Sequence, residues 1–176
     1  FVYKHASKGR YYPIEGGNLY RVLGSLELDM AAEQISRTNM IHTLRFIVHL
    51  SGDRYCPMHM AHMDDKGGNA VKMKWFGRDT NFHTVWDTKL IESQGYSYTE
   101  YAEMLQHEYK DIKRQIEQAS DEQLLVDSYH VTEAIYKYQE IWDGNTYHYI
   151  YTWRQPMERQ LYIAGIRLAK LLNSIF

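Results

Sequence analysis

Apolar positions along this chain recur at two periods, and the switch between them marks its most informative stretch. Met40, Ile41, Leu44, Ile47 and Val48 follow one another at helical intervals. That spacing predicts a helix running at least to Asp53, kinked or ended by Pro57. After Gly67-Gly68-Asn69 the period falls to two: Val71, Met73 and Trp75 alternate with Lys72, Lys74 and Phe76. The alternation predicts a short strand or hairpin arm near 70–76, with a turn at Gly77-Arg78-Asp79. Asn81 is the expected cap of a helix holding His83 to Ile91.

The flanks are read the same way. Residues 1–17 carry Lys4, Lys8, Arg10, Pro13 and Gly16-Gly17 and are expected to form an irregular surface segment. A helix is expected from about Asn18, with Leu19, Val22, Leu23 and Leu26 on one face. Downstream, Ser97-x-x-Glu100 has the form of a capping box ahead of a long charged helix reaching about Ala119. Ser120-x-x-Gln123 opens another, with Leu124, Leu125, Val131, Ile135 and Tyr138 as its apolar positions. Gly144-Asn145 interrupts the pattern, and a last helix from about Pro156 to Ile175 buries Leu161, Ala164, Leu168, Leu171 and Ile175. No repeat or linker divides the chain. The expectation is one all-α, mainly helical domain over 1–176 with a small β excursion inside it.

Composition narrows the picture only a little. With 44% hydrophobic residues and a net charge of −2, the chain is neither disordered nor built to coat a polyanion. Its basic residues are scattered, so a nucleic-acid strand would be held at a site and not along a broad groove. The 16 Tyr and 4 Trp suit an aromatic-rich core. A single cysteine, Cys56, excludes an internal disulfide. No apolar stretch reaches membrane-span length, no signal-peptide pattern opens the sequence, and no protein partner is evident. Phe1-Val2-Tyr3 has the character of an element's interior, so the amino terminus is expected to be processed or incomplete.

The candidate chemistry lies between His49 and Asp87. His49 and Asp53 are four apart on a helix, and His83 and Asp87 repeat that spacing on the next one. Residues so spaced share a face, with Cβ atoms roughly 5–6 Å apart, close enough for one metal ion to sit between imidazole and carboxylate. His59 lies between the pairs, just beyond Pro57. Imidazole and carboxylate together suit zinc. A lone His/Asp pair is more often a structural hydrogen bond; two pairs, an intervening His and a Gly-Gly turn favour metal binding.

The linked motifs carry a resemblance. R-F-I-V-H-L-S-G-D-x-x-x-P-M-H over 45–59, G-G-N over 67–69 and N-F-H-x-V-W-D over 81–87 resemble the zinc-dependent single-strand nucleases of fungi, plants and bacteria. These are relatives of bacterial zinc phospholipase C. The match is strong over this central region and weaker at Glu122–Tyr129 and in the final A-G-I-R-L-A-K-L-L-N.

The resemblance implies an all-α fold with three zinc ions at the base of a cleft. It implies that His49 ligates the first zinc and that Asp53, the catalytic candidate, bridges the first and third. His59, His83 and Asp87 would hold the second zinc, the best supported site in this chain. Gly67 and Gly68 would let the chain turn close by, with Asn69 behind the ligands. The implied activity is hydrolysis of single-stranded RNA and DNA to 5′-nucleotides, with 3′-nucleotidase activity, in a secreted or periplasmic protein. The implied partner is single-stranded nucleic acid or nucleotides.

Three departures qualify the match. Cys56 replaces the family's Gln before Pro57 and is expected to be an inert neighbour. His62, in a loop with Asp64 and Asp65, is expected to be a solvated histidine and not a further ligand. The family's upstream Trp, His, Asp and His ligands are absent. Phe1-Val2 would fit directly after the last of them, making Phe1 the base-stacking candidate, while His5 is a weaker alternative ligand. Two other readings stay open: a zinc phospholipase C-like lipid hydrolase, and a non-catalytic relative keeping one structural zinc.

Overall fold

The structure, a computed structural model, describes residues 3–7, 10–13, 19–31, 35–60, 62 and 64–176; across 3–13 and at 20 and 31 the description is of backbone alone. It is mainly helical, as the patterning predicts. Strands β1 (Tyr3–Ser7) and β2 (Arg10–Pro13) pair antiparallel ahead of α1 (Leu19–Ala31) and α2 (Arg37–Asp53). This first hairpin corrects the expectation of an irregular segment. Its strands carry Tyr3, Tyr11 and Tyr12, aromatic residues that favour a pleated surface, and β2 lies against a later helix.

Ser36 caps α2 by accepting the Asn39 N–H, and the helix ends at Asp53 as expected. Its apolar stripe is only half used. Ile47 is fully buried, but Ile41, Phe46 and Val48 are 44%, 57% and 46% exposed. α2 presses one narrow face on α1 and the last helix, in a small cluster of Leu23, Met30 and Ile47 flanked by Leu168, Leu171 and Ile175. The other flank meets solvent among the described residues.

A 3-10 turn over Pro57–Met60 follows, then the hairpin of β3 (Lys72–Trp75) and β4 (Arg78–Asn81). Met73 and Trp75 point inward and Lys72 and Lys74 outward, as the alternation requires. The turn falls one residue earlier than expected. Phe76 (φ 48°) and Gly77 (φ 78°) form it, the left-handed pair that a tight two-residue hairpin demands.

Asn81 accepts the Thr84 N–H at 2.8 Å and caps a continuous helical run: α3 (Phe82–Thr84), a π turn over Val85–Lys89, and α4 (Leu90–Glu92). Ser97 and Glu100 complete the expected capping box of α5 (Tyr98–Glu108). That helix does not reach Ala119. It breaks at Tyr109, passes through a 3-10 turn and resumes as α6 (Lys113–Gln118). The cause is tertiary: the Tyr109 hydroxyl donates to buried Glu158 at 3.2 Å, and its ring lies against Tyr162.

Ser120 caps α7 (Asp121–Gln139) by accepting the Gln123 N–H. Asn145 caps α8 (Thr146–Ile175), a 30-residue helix that runs through Pro156 and does not begin there. Its first turns are rich in aromatics that propensity alone would not make helical. Packing overrides propensity: Tyr149 is fully buried, accepts the Trp86 indole N–H at 2.9 Å, and lies beside Trp153, whose ring meets Trp86 edge-on.

The main core therefore joins Phe82, Val85, Trp86 and Leu90 to Leu125 and Ile135 of α7 and Tyr149, Met157 and Ile163 of α8. α8 is the common spine, touching both clusters. Among the described residues no helix is long and apolar enough to cross a membrane. Replacing Trp86 by Phe removes the donor to buried Tyr149 and is expected to lower unfolding free energy by about 1–3 kcal/mol in urea titration.

Candidate metal centre

Two structural devices present the acidic ligand candidates. The last turn of α2 carries His49 and Asp53, with His49 Nε2 3.3 Å from Asp53 Oδ2. Immediately afterwards buried Arg54 donates to Asp121 Oδ2 at 3.0 Å, and Arg167 pairs with the other oxygen. The end of α2 is thereby tied to the start of α7 and to α8. Nothing in the sequence pattern marked this triad, whose members lie far apart in the chain. The second device is the π turn, an irregularity frequent at functional sites. It buries Val85 and Trp86 and leaves Asp87 exposed.

The 3-10 turn brings His59 between the two carboxylates. Its Nδ1 lies 3.5 Å from Asp53 Oδ2 and its Nε2 3.1 Å from Asp87 Oδ1. His83 Nε2 reaches the other Asp87 oxygen at 3.0 Å, and the two imidazoles stack with centroids 5.1 Å apart. All five proposed ligands thus form one chain of contacts: His49, Asp53, His59, Asp87, His83.

The turn before β3 sets the orientation of His83. Lys66, Gly67 and Gly68 have successive φ values of 57°, 66° and 78°, which brings the Gly67 carbonyl to 2.8 Å from His83 Nδ1. A carbonyl only accepts, so Nδ1 is the protonated nitrogen and Nε2 carries the lone pair in the neutral ring. That lone pair faces a carboxylate oxygen at 3.0 Å. Two facing lone pairs repel, so the arrangement calls for positive charge between them, a metal ion or a second proton. Zinc bonds of about 2.0–2.2 Å in tetrahedral directions place neighbouring ligand atoms about 3.3 Å apart. The pairwise contacts of 3.0–3.5 Å, with His59 on one Asp87 oxygen and His83 on the other, lie near that spacing. Imidazole and carboxylate together make a donor set whose chemistry suits a divalent ion such as zinc.

Glycine is required at 68. A Cβ there would come within 2.8 Å of both Met58 Sδ and Phe82 Cβ. Asn69 donates to the Lys66 carbonyl at 2.9 Å and braces the turn from its exposed side. Asp65, to which the sequence assigns no role, accepts the Gly68 N–H at 2.8 Å and the Tyr136 hydroxyl at 2.5 Å. An Asp three residues before a glycine is the local signal that could have found it. His62 points elsewhere, pairing with Glu133 at 3.1 Å.

Cys56 Sγ donates to Asp87 Oδ1 at 3.3 Å. Burial, reinforced by the Asp87 charge, pushes this thiol well above the ordinary range and keeps it a donor. Cys56, His59 and Asp87 nevertheless offer ligand atoms that all lie within 4.8 Å of one another. Beside Asp53 and Asp87 a cavity of about 160 Å³ is walled by Tyr55, Cys56, Trp86, Ile91 and Met157, an apolar recess at the edge of a charged site. Phe1 lies outside the described residues, as does the side chain of His5.

A family model described as S1/P1 Nuclease matches residues 15–176. Endonuclease 2 of Arabidopsis thaliana is 29% identical over 167 residues, covering 86% of this chain and 57% of that protein. Endonuclease 3 of the same plant is 30% identical over 163 residues, covering 82% and 55%. Nuclease S1 of Aspergillus oryzae is 32% identical over 83 residues, covering 44% of this chain and 29% of the fungal protein. The chain spans a little over half the length of these plant relatives.

Two outcomes follow from the geometry. Gly68→Ala, strained in φ and space, is expected to destabilise by about 2 kcal/mol or more. Gly24→Ala, in an open position on α1, is expected to stabilise by about 0.5–1 kcal/mol; paired thermal melts compare the two.

The second concerns pH in the metal-free chain. Burial disfavours the His59 cation, but the Asp87 hydrogen bond and the Asp53 and Asp87 charges outweigh it and raise its pKa above 6.5. Burial likewise disfavours the Asp87 anion, yet His59 lowers its pKa below 3.8. A raised His pKa stabilises fully below the unfolded value and is lost as pH rises through the folded one. A lowered Asp pKa stabilises above the unfolded value and is lost as pH falls through the folded one. The pair's contribution is therefore greatest between pH 3.8 and 6.5. With chelator present, unfolding midpoints are expected to fall as pH rises through the raised His59 pKa, and His59→Gln to flatten that slope.

Proposed function

Because the chain belongs to the S1/P1 nuclease family, we propose that it carries the metal-binding centre of a zinc-dependent hydrolase. Its substrates are single-stranded RNA and DNA, cut to 5′-nucleotides, with 3′-nucleotidase activity besides. The observation that carries this reading is the Asp87 carboxylate set between His59 and His83, with the His83 tautomer fixed by Gly67.

His59, His83 and Asp87 would hold one ion. His49 and Asp53 would supply part of a neighbouring position, and the family expectation of three ions requires ligands beyond these five. Zinc at such a centre supplies Lewis acidity and lowers the pKa of water. Asp53, which contacts both His49 and His59, would serve both ion positions and would take the proton of the attacking water. An apolar recess lined by Trp86, Ile91 and Met157 lies beside the two carboxylates. Base stacking, assigned to Phe1, would tolerate many sequences. A secreted or periplasmic location is part of the same proposal and rests on the family.

One observation favours a lesser reading. The His49 side chain is 67% exposed, and Asp53 is the partner recorded for it, so that half of the centre is loosely built. A chain holding one zinc as a structural clip would look like this.

The test uses purified protein loaded with zinc, assayed on a single-stranded oligonucleotide and a 3′-mononucleotide, with bound metal counted by mass spectrometry. Cleavage is expected to be abolished by chelator. His83→Ala is expected to reduce it by more than the roughly 100-fold that loss of an outer partner causes. Activity surviving His83→Ala removes that residue from the centre. One tightly bound zinc without hydrolysis supports the clip. Diacylglycerol release from phospholipid with no action on RNA reassigns the substrate.

A further inference from the structure

We propose that Asp65 and Tyr136 are positioning residues for the metal centre: together they clasp the Gly67-Gly68 turn whose carbonyl fixes the ligand tautomer of His83. The inference rests on the metal-centre part of the reading above.

The clasp runs through three hydrogen bonds. Tyr136, on α7, donates its hydroxyl to Asp65 Oδ2 at 2.5 Å. Asp65 Oδ1 accepts the Gly68 N–H at 2.8 Å. One residue earlier, the Gly67 carbonyl accepts His83 Nδ1–H at 2.8 Å. Gly68 also offers its own carbonyl to the His83 backbone N–H at 3.4 Å. The turn is thus held from one side by Asp65 and holds His83 from the other. It has little freedom to tilt, because Met58 and Phe82 close over Gly68.

α7 makes the clasp rigid. Thr132, four residues before Tyr136 and therefore on the same helical face, donates to the Pro57 carbonyl at 2.9 Å. The segment from Pro57 to Gly68, which carries His59, is consequently pinned near both ends by one helix. The Tyr136 ring packs edge-on against Phe82, the residue before His83. Burial and the Asp65 charge hold the Tyr136 phenol protonated, so it remains a donor across the working pH range.

Neither residue touches the proposed ion. Their effect is geometric: with the turn displaced, the Gly67 carbonyl no longer selects the Nδ1–H form of His83, and the Nε2 lone pair is not presented. Outer partners of metal-bound histidines typically change affinity about 10- to 100-fold.

Three variants test this, read by competition titration with a chromophoric zinc chelator and by the ring-nitrogen NMR shifts of His83 in metal-free protein. Tyr136→Phe removes one hydroxyl and nothing else; it is expected to weaken zinc binding about 10-fold. Asp65→Ala is expected to weaken it by about 10- to 100-fold and to move His83 from the Nδ1–H tautomer towards a mixture. Asp65→Asn keeps an acceptor for Gly68 N–H and gains an N–H that can donate to the tyrosine oxygen, so it is expected to restore affinity to within about 3-fold of the parent.

Unchanged zinc affinity and an unchanged His83 tautomer in Tyr136→Phe and Asp65→Ala would overturn the clasp, whatever happens to the melting temperature. If Asp65→Ala does not fold, Tyr136→Phe decides. A protein without nuclease activity whose zinc affinity still falls in Tyr136→Phe keeps the clasp and loses the nuclease reading. Nuclease activity with zinc affinity unmoved does the reverse.

Discussion

The Asp87 carboxylate is where the demands of this fold meet. Each of its oxygens faces an imidazole nitrogen, and Oδ1 also takes the Cys56 thiol hydrogen. The residue immediately before it, Trp86, is anchored in the core through Tyr149. A position next to a buried tryptophan cannot drift without opening the core. The metal centre therefore borrows its rigidity from the packing of α8, although α8 contributes no proposed ligand. Charge and apolar burial are coupled through one peptide bond.

That coupling has a physical consequence in the metal-free chain. Asp53 and Asp87 are drawn to the same imidazole, and only a charged His59 satisfies both. A metal ion at this position would compete with the proton, taking over an electrostatic role that protonation fills at low pH. The Cys56 thiol, held protonated by burial beside Asp87, adds a hydrogen bond without adding charge. A carboxylate with two histidines and a thiol around it is a site whose stability depends on which cation occupies it.

Much of this was legible in the sequence, and what was not has identifiable causes. The His/Asp pairs were visible because helical spacing alone puts residues four apart on one face. The β3–β4 hairpin showed because its inward and outward residues alternate cleanly. The joined α5–α6 helix and the late start of α8 were misread because Tyr109 and Tyr149 answer to partners far away, Glu158 and Trp86. The stripe on α2 overstated burial, since periodicity shows that a face is apolar and not that something covers it. Tyr136 escaped altogether: it meets Asp65 across 71 residues, and a tyrosine among sixteen carries no local signal.

The two halves of the centre differ in how much order they already possess. His83 is fixed through Nδ1, stacked on His59 and turned with Nε2 towards Asp87. His49 hangs from the exposed flank of α2 with Asp53 as its recorded partner, so placing it costs side-chain freedom at the moment of binding. Preorganisation favours whichever site has less freedom left to lose. Under the proposed function, the position between His59, His83 and Asp87 would fill first and most tightly. The position at His49 and Asp53 then depends on groups beyond these five to make up the difference, which is why metal count and hydrolysis need not rise together.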